Sequence, residues 1–353
     1  MDYKKELEDL VSLVLKEGAS DLHLAQGRHP LVRVNGALIP LIKKPQLTKI
    51  DMEGFLKELL TPVNRTIFDK EKEVDFSYSL TNLARFRGNA FMRQEETSIA
   101  LRLIPKNIPS FADLNLPSIL ETFTRKKQGF FLVVGPIGQG KSTTLASMIE
   151  MINQSRAEHI VTIEDPIEYV YESKKSIIDQ REVRVDTTSF HAGLVNMLRQ
   201  DVNVALIGEM RDIDTIGTAV TAAETGHLIF STLHTNNAAQ TINRIIDSFD
   251  PSQQDQIRMQ LAGSLTGIFS QRLIPCISGG RVPAYELLIA NAAVANLIRE
   301  KRVHEINTVI ETSSNEGMID MNRCLVELVR AGKITVESAY QYSLNPKGLE
   351  RMI

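Results

Sequence analysis

Residues 135–142, Gly-Pro-Ile-Gly-Gln-Gly-Lys-Ser, fit G-x-x-x-x-G-K-[ST], the loop that cradles phosphates in nucleoside triphosphatases. The pattern alone is moderately specific, because Gly-rich turns are common, and its flanks decide. The glycines must let backbone N–H groups turn inward toward phosphate oxygens. A buried strand has to deliver the loop and a helix N-terminus has to receive it, because the helix dipole favours an anion. The flanking sequence supplies both. Phe130–Val134 is an unbroken apolar run that reads as a buried parallel strand, and Thr143 to Ile152 reads as a helix. Gly135, Pro136, Ile137, Gly138, Gln139, Gly140, Lys141, Ser142 and Thr143 are therefore the candidate nucleotide-binding set. Lys141 offers a point charge to the β- and γ-phosphates of ATP, and the Ser142 hydroxyl is a ligand for Mg²⁺. The competing reading is a Gly-rich turn with a solvated lysine, which the strand–loop–helix context disfavours.

At 353 residues the chain has room for two domains. Its net charge of −3 gives no general electrostatic pull toward nucleic acid, so no direct nucleic-acid partner is expected. Cys276 and Cys324 are too far apart in sequence for a zinc site or a disulfide framework, and they read as reduced cytosolic thiols. No apolar run reaches membrane-spanning length, and Met1-Asp-Tyr-Lys-Lys-Glu6 is too charged for a signal peptide. A cytoplasmic protein that meets the membrane only through a partner is the expectation.

The first part of the chain predicts a mixed α+β domain over residues 1–104. Leu7, Leu10, Val11, Val14 and Leu15 recur at helical spacing and Gly18 ends the helix. Asn35-Gly36 between two apolar runs predicts a hairpin. Helices are expected from Thr48 and from Thr61-Pro62, then strands over Val74–Leu80, Arg85–Arg93 and Ser98–Ile104. Pro105, Pro109 and Pro117 mark a linker over 105–117. From 118 to 353, strands at Phe130–Val134, His159–Glu164, Val204–Gly208 and Leu228–Thr232 alternate with helices, which predicts a parallel sheet. Ser252–Leu273 reads as one long helical region, Val282–Ile289 as a further strand, and the rest as helical.

An NTPase also needs a metal-holding acid, a group to orient water and a γ-phosphate sensor. Glu209 ends the apolar strand Val204–Gly208 and suits the metal; alone it reads equally as a surface glutamate. Glu164 and Asp165 end another core strand: Glu164 fits the water-activating role and Asp165 the support of the loop or metal shell, unless the pair only caps an Asp-Pro turn. His227 and His234 flank the strand Leu228–Leu233; one after the strand is placed to report the γ-phosphate, although a lone histidine is more often structural. Arg85, Arg87 and Arg102 precede the linker and read either as arginine fingers toward nucleotide or as a solvated strand face.

In this order the motifs resemble those of the type IV pilus retraction ATPases, the PilT-like branch of the secretion-ATPase superfamily, over nearly the whole chain. Gly18–Leu24 resembles the family's opening signature, Thr162–Glu168 its acidic box, Gly208–Asp212 its Walker B with glutamate for aspartate, and Thr221–His234 its histidine box. Gln180–Val183, Ser270–Leu273 and Asn296–Glu300 also look like family segments, the last being tied to retraction. The resemblance implies an α/β fold, with a RecA-like P-loop domain preceded by a smaller α+β PAS-like domain. It also implies a homohexamer that hydrolyses ATP with Mg²⁺ to retract a pilus, resting on an inner-membrane platform protein, with a paralogous retraction ATPase as a further partner. Glu164 becomes the catalytic glutamate, Glu209 the Walker B acid, and Arg85, Arg87 and Arg102 arginines that approach nucleotide. Departures from the family pattern are Ile137 and Gln139 for threonine and serine, Asp201-Val-Asn203 for Asp-Pro-Asp, and Ala295 for an arginine. An assembly or secretion ATPase is the rival reading, against which the missing four-cysteine insertion weighs. A slowly hydrolysing ring subunit that supports another motor is another.

Overall fold

The structure is a computed structural model that describes residues 2–34, 36–80, 83–104 and 107–353. The chain forms two compact units, Met1–Asn107 with Pro166–Val170, and Ile108–Asp165 with Tyr171–Ile353.

In the first unit, α1 (Tyr3–Lys16) is capped by the Asp2 carboxylate and buries Leu7, Leu10, Val11 and Val14. Gly18 then turns the chain at φ +61°. Three short strands follow: β1 (Asp21–Ala25), β2 (Leu31–Val34) and β3 (Ala37–Pro40). The expected hairpin is formed by β2 and β3, with Val34 opposite Ala37; Asn35 of its turn lies outside the described residues. Helix α2 (Lys49–Leu59) starts at a capping box between Thr48 and Asp51, and α3 (Pro62–Glu71) starts at Thr61 with Pro62 in its first turn. Then come β4 (Glu73–Leu80), β5 (Ala84–Arg93) and β6 (Glu96–Ile104). The sheet runs β3-β2-β1-β6-β5-β4, with every neighbouring pair antiparallel. Phe55, Phe76 and Phe86 fill its core with α1 and α2. Strand β1, Asp-Leu-His-Leu-Ala, escaped the sequence reading although it alternates, because five residues are a short run for a periodic signal.

The second unit opens with α4 (Leu120–Thr124), β7 (Gly129–Val134) and α5 (Lys141–Ser155). Next are β8 (His159–Glu164), β9 (Ile177–Glu182), α6 (Phe190–Met197), β10 (Val204–Ile207), α7 (Ile213–Glu224) and β11 (Leu228–Leu233). Helices α8 (Ala238–Asp247) and α9 (Pro251–Ser264) lead to β12 (Leu265–Pro275) and β13 (Arg281–Ile289). The end of the chain is α10 (Ala292–Arg299), α11 (Ile306–Thr312), α12 (Met321–Arg330), α13 (Val336–Tyr342) and α14 (Pro346–Glu350). The sheet order is β13-β12-β7-β11-β10-β8-β9, parallel throughout except for β13.

Two expectations for this unit are corrected. Leu265–Leu273 is strand, not helix. Leu265 leaves α9 with extended backbone; β12 has both edges paired, by β7 and β13, and residues of both its faces are buried, so its apolar run mimics a buried helix. The sheet is also mixed rather than wholly parallel. Strand β9 was missed because it is a polar edge strand, Ile-Ile-Asp-Gln-Arg-Glu. In the expected linker, Pro105 lies outside the described residues; beyond it Phe111 and Leu116 are buried and Asp113 accepts the Ser110 N–H and hydroxyl.

The core of this sheet is aromatic at its centre. Phe131 stands edge-on to Phe230 across β7 and β11, with centroids 5.9 Å apart, and both are fully buried. Between β13 and α12, Cys324 accepts the Tyr285 N–H at 3.4 Å; burial pushes its thiol up to about 12 despite that bond. Cys276, just past β12, is half-buried. Phe230→Ala should lower stability by about 3–5 kcal/mol, seen as a clear drop in the urea midpoint of this unit by circular dichroism.

Candidate active site

Four adjacent parallel strands end on the same edge of the sheet, β10 and β8 about two residues short of β7 and β11. Val134 lies beside Leu233, Ser231 beside Ile207, and Ile207 beside Ile163. The residues just past those ends are the phosphate loop after β7, His234 after β11, Gly208-Glu209 after β10 and Glu164-Asp165 at the end of β8. The carboxyl edge of a parallel sheet is where α/β proteins bind ligands. Side chains lock that edge: the Ser231 and Thr232 hydroxyls donate to the carbonyls of Ile207 and Gly208, at 2.8 and 2.7 Å. Gly208 donates its N–H to Ile163 O at 2.8 Å.

The loop holds Gly135, Gly138 and Gly140 at positive φ. A Cβ on Gly135 would meet the Gln271 carbonyl at 2.4 Å, so only glycine fits there. Gly140 caps α5 without a side chain, which leaves the helix start with no side-chain cap. Lys141 is buried, and its Nζ donates to the carbonyls of Gly135 and Pro136, each at 2.9 Å, and approaches His234 Nδ1 at 3.3 Å. An ammonium only donates, so Nδ1 is the acceptor and the His234 proton sits on Nε2. That nitrogen faces Glu209 Oε2 at 3.8 Å, while Glu209 Oε1 pairs with Arg211 at 2.6 Å. Lys141, His234 and Glu209 thus form one chain across three strand ends. Ser142 is exposed on the first turn of α5, and Ile137 is 83% exposed at the loop tip.

Glu164 is 8% exposed and accepts the Thr162 hydroxyl at 2.6 Å and the Gln180 amide at 3.3 Å. Gln180 on β9 also accepts the Tyr171 N–H at 2.9 Å. Asp165 pairs with Arg184 at 3.1 Å. Glu164 and Glu182 are register partners on β8 and β9.

Within this unit one candidate does not reach this edge. His227 precedes β11 rather than following it; its Nδ1 lies 3.1 Å from Ala222 O at the end of α7, and its carbonyl accepts the Gly129 N–H. The length of β11, roughly 20 Å, separates it from the loop in this unit. Arg85, Arg87 and Arg102 lie in the first unit: Arg85 faces Ser79 at 3.3 Å, Arg87 pairs with Glu168 at 2.8 Å, and Arg102 pairs with buried Asp21 at 2.9 Å. Burial works to raise the Asp21 carboxyl, but the Ser20 hydroxyl and Arg102 hold it below its usual value. Sequence reasoning passed over Thr162, Gln180 and Arg184, which orient the acids, and gave no role to Gln271, which touches the loop. It also passed over Glu286, a buried carboxylate that accepts the first N–H of α8 at 2.8 Å and that burial raises to about 7. Family-like segments at 162–168, 180–183 and 270–273 were the signals for Thr162, Gln180 and Gln271; Arg184 and Glu286 had none.

The family described as type II/IV secretion system protein matches residues 3–338. The chain is 41% identical over 342 residues to the "Type IV pilus retractation ATPase PilT" of Pseudomonas aeruginosa, which covers 97% of this chain and 99% of that one. It is 44% identical over 321 residues to a "Twitching motility protein" of Neisseria gonorrhoeae, covering 91% and 86%. The crystal structure of the pilus retraction motor PilT with bound ADP superposes at a TM-score of 0.91, with 46% identity over 97% of this chain and 98% of that one. The fold, a RecA-like P-loop unit after a smaller α+β unit, is the one the sequence led us to expect.

Burial first, then the nearby Lys141 charge, holds the His234 imidazole below its ordinary pKa, against the pull of Glu209. A lowered folded-state value means that the Lys141–His234–Glu209 chain is intact at neutral pH and is lost as pH falls through that value. An NMR titration should place His234 below 6.5, the usual histidine value. Lys141→Met should raise it.

Proposed function

The chain belongs to the type II/IV secretion system protein family, and on that premise we propose that it is an ATP-hydrolysing motor that powers type IV pilus retraction. The observation that carries this reading is the convergence of the phosphate loop, Glu209, His234 and Glu164 at four adjacent strand ends. The named relatives act in pilus retraction and twitching motility, and the superposable motor holds ADP.

Lys141 and the N–H groups of 138–143 would hold the β- and γ-phosphates. Oxygen donors suit Mg²⁺, which takes few protein ligands beside substrate phosphates. The Ser142 hydroxyl and Glu209 fit that need; among the described residues there is no group of three or more His, Cys, Asp or Glu to bind a metal unaided. The ion, when bound, neutralises charge on the phosphate oxygens. Glu164 would orient and deprotonate the attacking water; Thr162 and Gln180 hold one of its oxygens, and Asp165 is a supporting acid. His234 is the sensor in this reading. A γ-phosphate competes with its Nδ1 for the Lys141 ammonium, and loss of that phosphate restores the contact.

The motor would be a homohexamer on a membrane platform protein, cytoplasmic, with a paralogous ATPase as a further partner. Residues 1–104 and 118–353 would act as its two moving domains, joined by 105–117. Arg85, Arg87 and Arg102 would reach nucleotide in the ring, and His227 would act there too. No helix among the described residues is long and apolar enough to cross a membrane. A second reading, a slowly hydrolysing subunit that supports another motor, is favoured only by Ala295 in the segment tied to retraction.

Lys141→Ala should abolish nucleotide binding, measured with a fluorescent ADP analogue. Glu164→Gln should bind ATP normally while turnover falls about 10²–10⁴-fold. Undiminished turnover in the Glu164→Gln variant would remove Glu164 from the role of base, and absence of turnover in the unmodified protein would favour the supporting-subunit reading.

A further inference from the structure

Strand β12 reaches past the end of β7, which pairs with it only as far as Val134 opposite Ser270. The residues beyond that point face the phosphate loop. Gln271 is 2% exposed, and its Nε2 donates to the Gln139 carbonyl at 2.8 Å while its Oε1 accepts the Thr144 hydroxyl at 2.7 Å. In return, Gln139 Oε1 accepts the backbone N–H of Leu273 at 2.6 Å. Each glutamine therefore binds backbone of the other's segment. We propose that Gln139 and Gln271 form a reciprocal amide clasp that presets the phosphate loop for nucleotide, making both of them positioning residues for phosphate binding.

A trans peptide is planar, and its C=O and N–H point to opposite sides. Holding the Gln139 carbonyl down on Gln271 turns the Gly140 N–H of the same peptide the other way, into the loop's concave side. The bond to Thr144 ties the same carboxamide to the first turn of α5, so loop and helix start move together. Close packing leaves little slack: a Cβ on Gly140 would come within 3.1 Å of Gln271 Nε2. Strand β12 also gains, because the Leu273 N–H lies beyond the last β7 partner and Gln139 satisfies it. A loop ordered in advance loses less entropy on binding, so the effect falls on affinity for the whole nucleotide rather than on the chemical step. The inference rests on reading residues 135–142 as the ATP site.

The test uses the full chain with Gln139→Ser, Gln271→Glu and the double variant. The carboxylate introduced by Gln271→Glu keeps the shape and the acceptor for Thr144 but removes the donor to Gln139. KM for Mg-ATP and Kd for a fluorescent ADP analogue should each rise roughly three- to tenfold in the single variants, with kcat within about twofold. The double variant should lose less than the product of the two, because either break already frees the loop. Without nucleotide, hydrogen exchange at the Leu273 amide should quicken in Gln139→Ser. Unchanged KM and Kd overturn the clasp, as does unchanged exchange at Leu273 or a loss confined to kcat. A lowered melting temperature without the KM-against-kcat split also overturns it, since that marks a merely structural role. If Gln271→Glu fails to fold, the partly exposed Gln139→Ser decides alone. If the unmodified protein neither binds nor turns over ATP, the ATPase reading fails instead, and the exchange readout still tests the clasp.

Discussion

The shared register of β7, β11, β10 and β8 is the constraint on which the rest depends. These strands are parallel and buried and end within about two residues of one another, so everything that follows them emerges on one edge. The backbone groups there lack strand partners and must find others. They find hydroxyls, a lysine and glutamines. Ser231, Thr232, Lys141 and Gln271 each take up carbonyls at this edge. A carbonyl held on one side of a peptide directs an N–H to the other side. The polar side chains under the site thus decide where its donors point, before any anion arrives.

Much of this was legible in the sequence, for physical reasons that differ by segment. The run Phe130–Val134 reads as a two-sided buried strand, and with a helix after them the glycines that follow read as a cradle. Thr48 and Thr61 sit where helix caps belong, and each caps its helix. The acids Glu164 and Glu209 were found because they end apolar strands. What sequence order could not supply is lateral adjacency. Nothing in the spacing says that β12 lies beside β7, so the contact of Gln271 with the loop was invisible, and Leu265–Leu273 passed as helix. His227 and His234 look symmetrical about β11, yet a strand has two ends, and only one of them faces the phosphate loop.

The departures from the family pattern find local accommodation. In Asp201-Val-Asn203, Asp201 takes a positive φ, Val202 joins the core, and the Asn203 side chain accepts the His159 N–H at 2.8 Å, fastening β10 to β8. Ile137 projects from the loop, and Gln139 anchors it. Ala295 lies on α10, partly buried against the core beneath that helix. Nothing in the structure explains the loss of an arginine there.

The two thiols differ in a way that chemists can use. Cys324 is 4% exposed and burial holds its thiol well above the ordinary pKa, so it hardly reacts. Cys276 ends up as the favoured anchor for a maleimide dye, and it sits just beyond β12, a few residues from Gln271. Nature has left a single handle for fluorescence beside the strand that underlies the phosphate cradle.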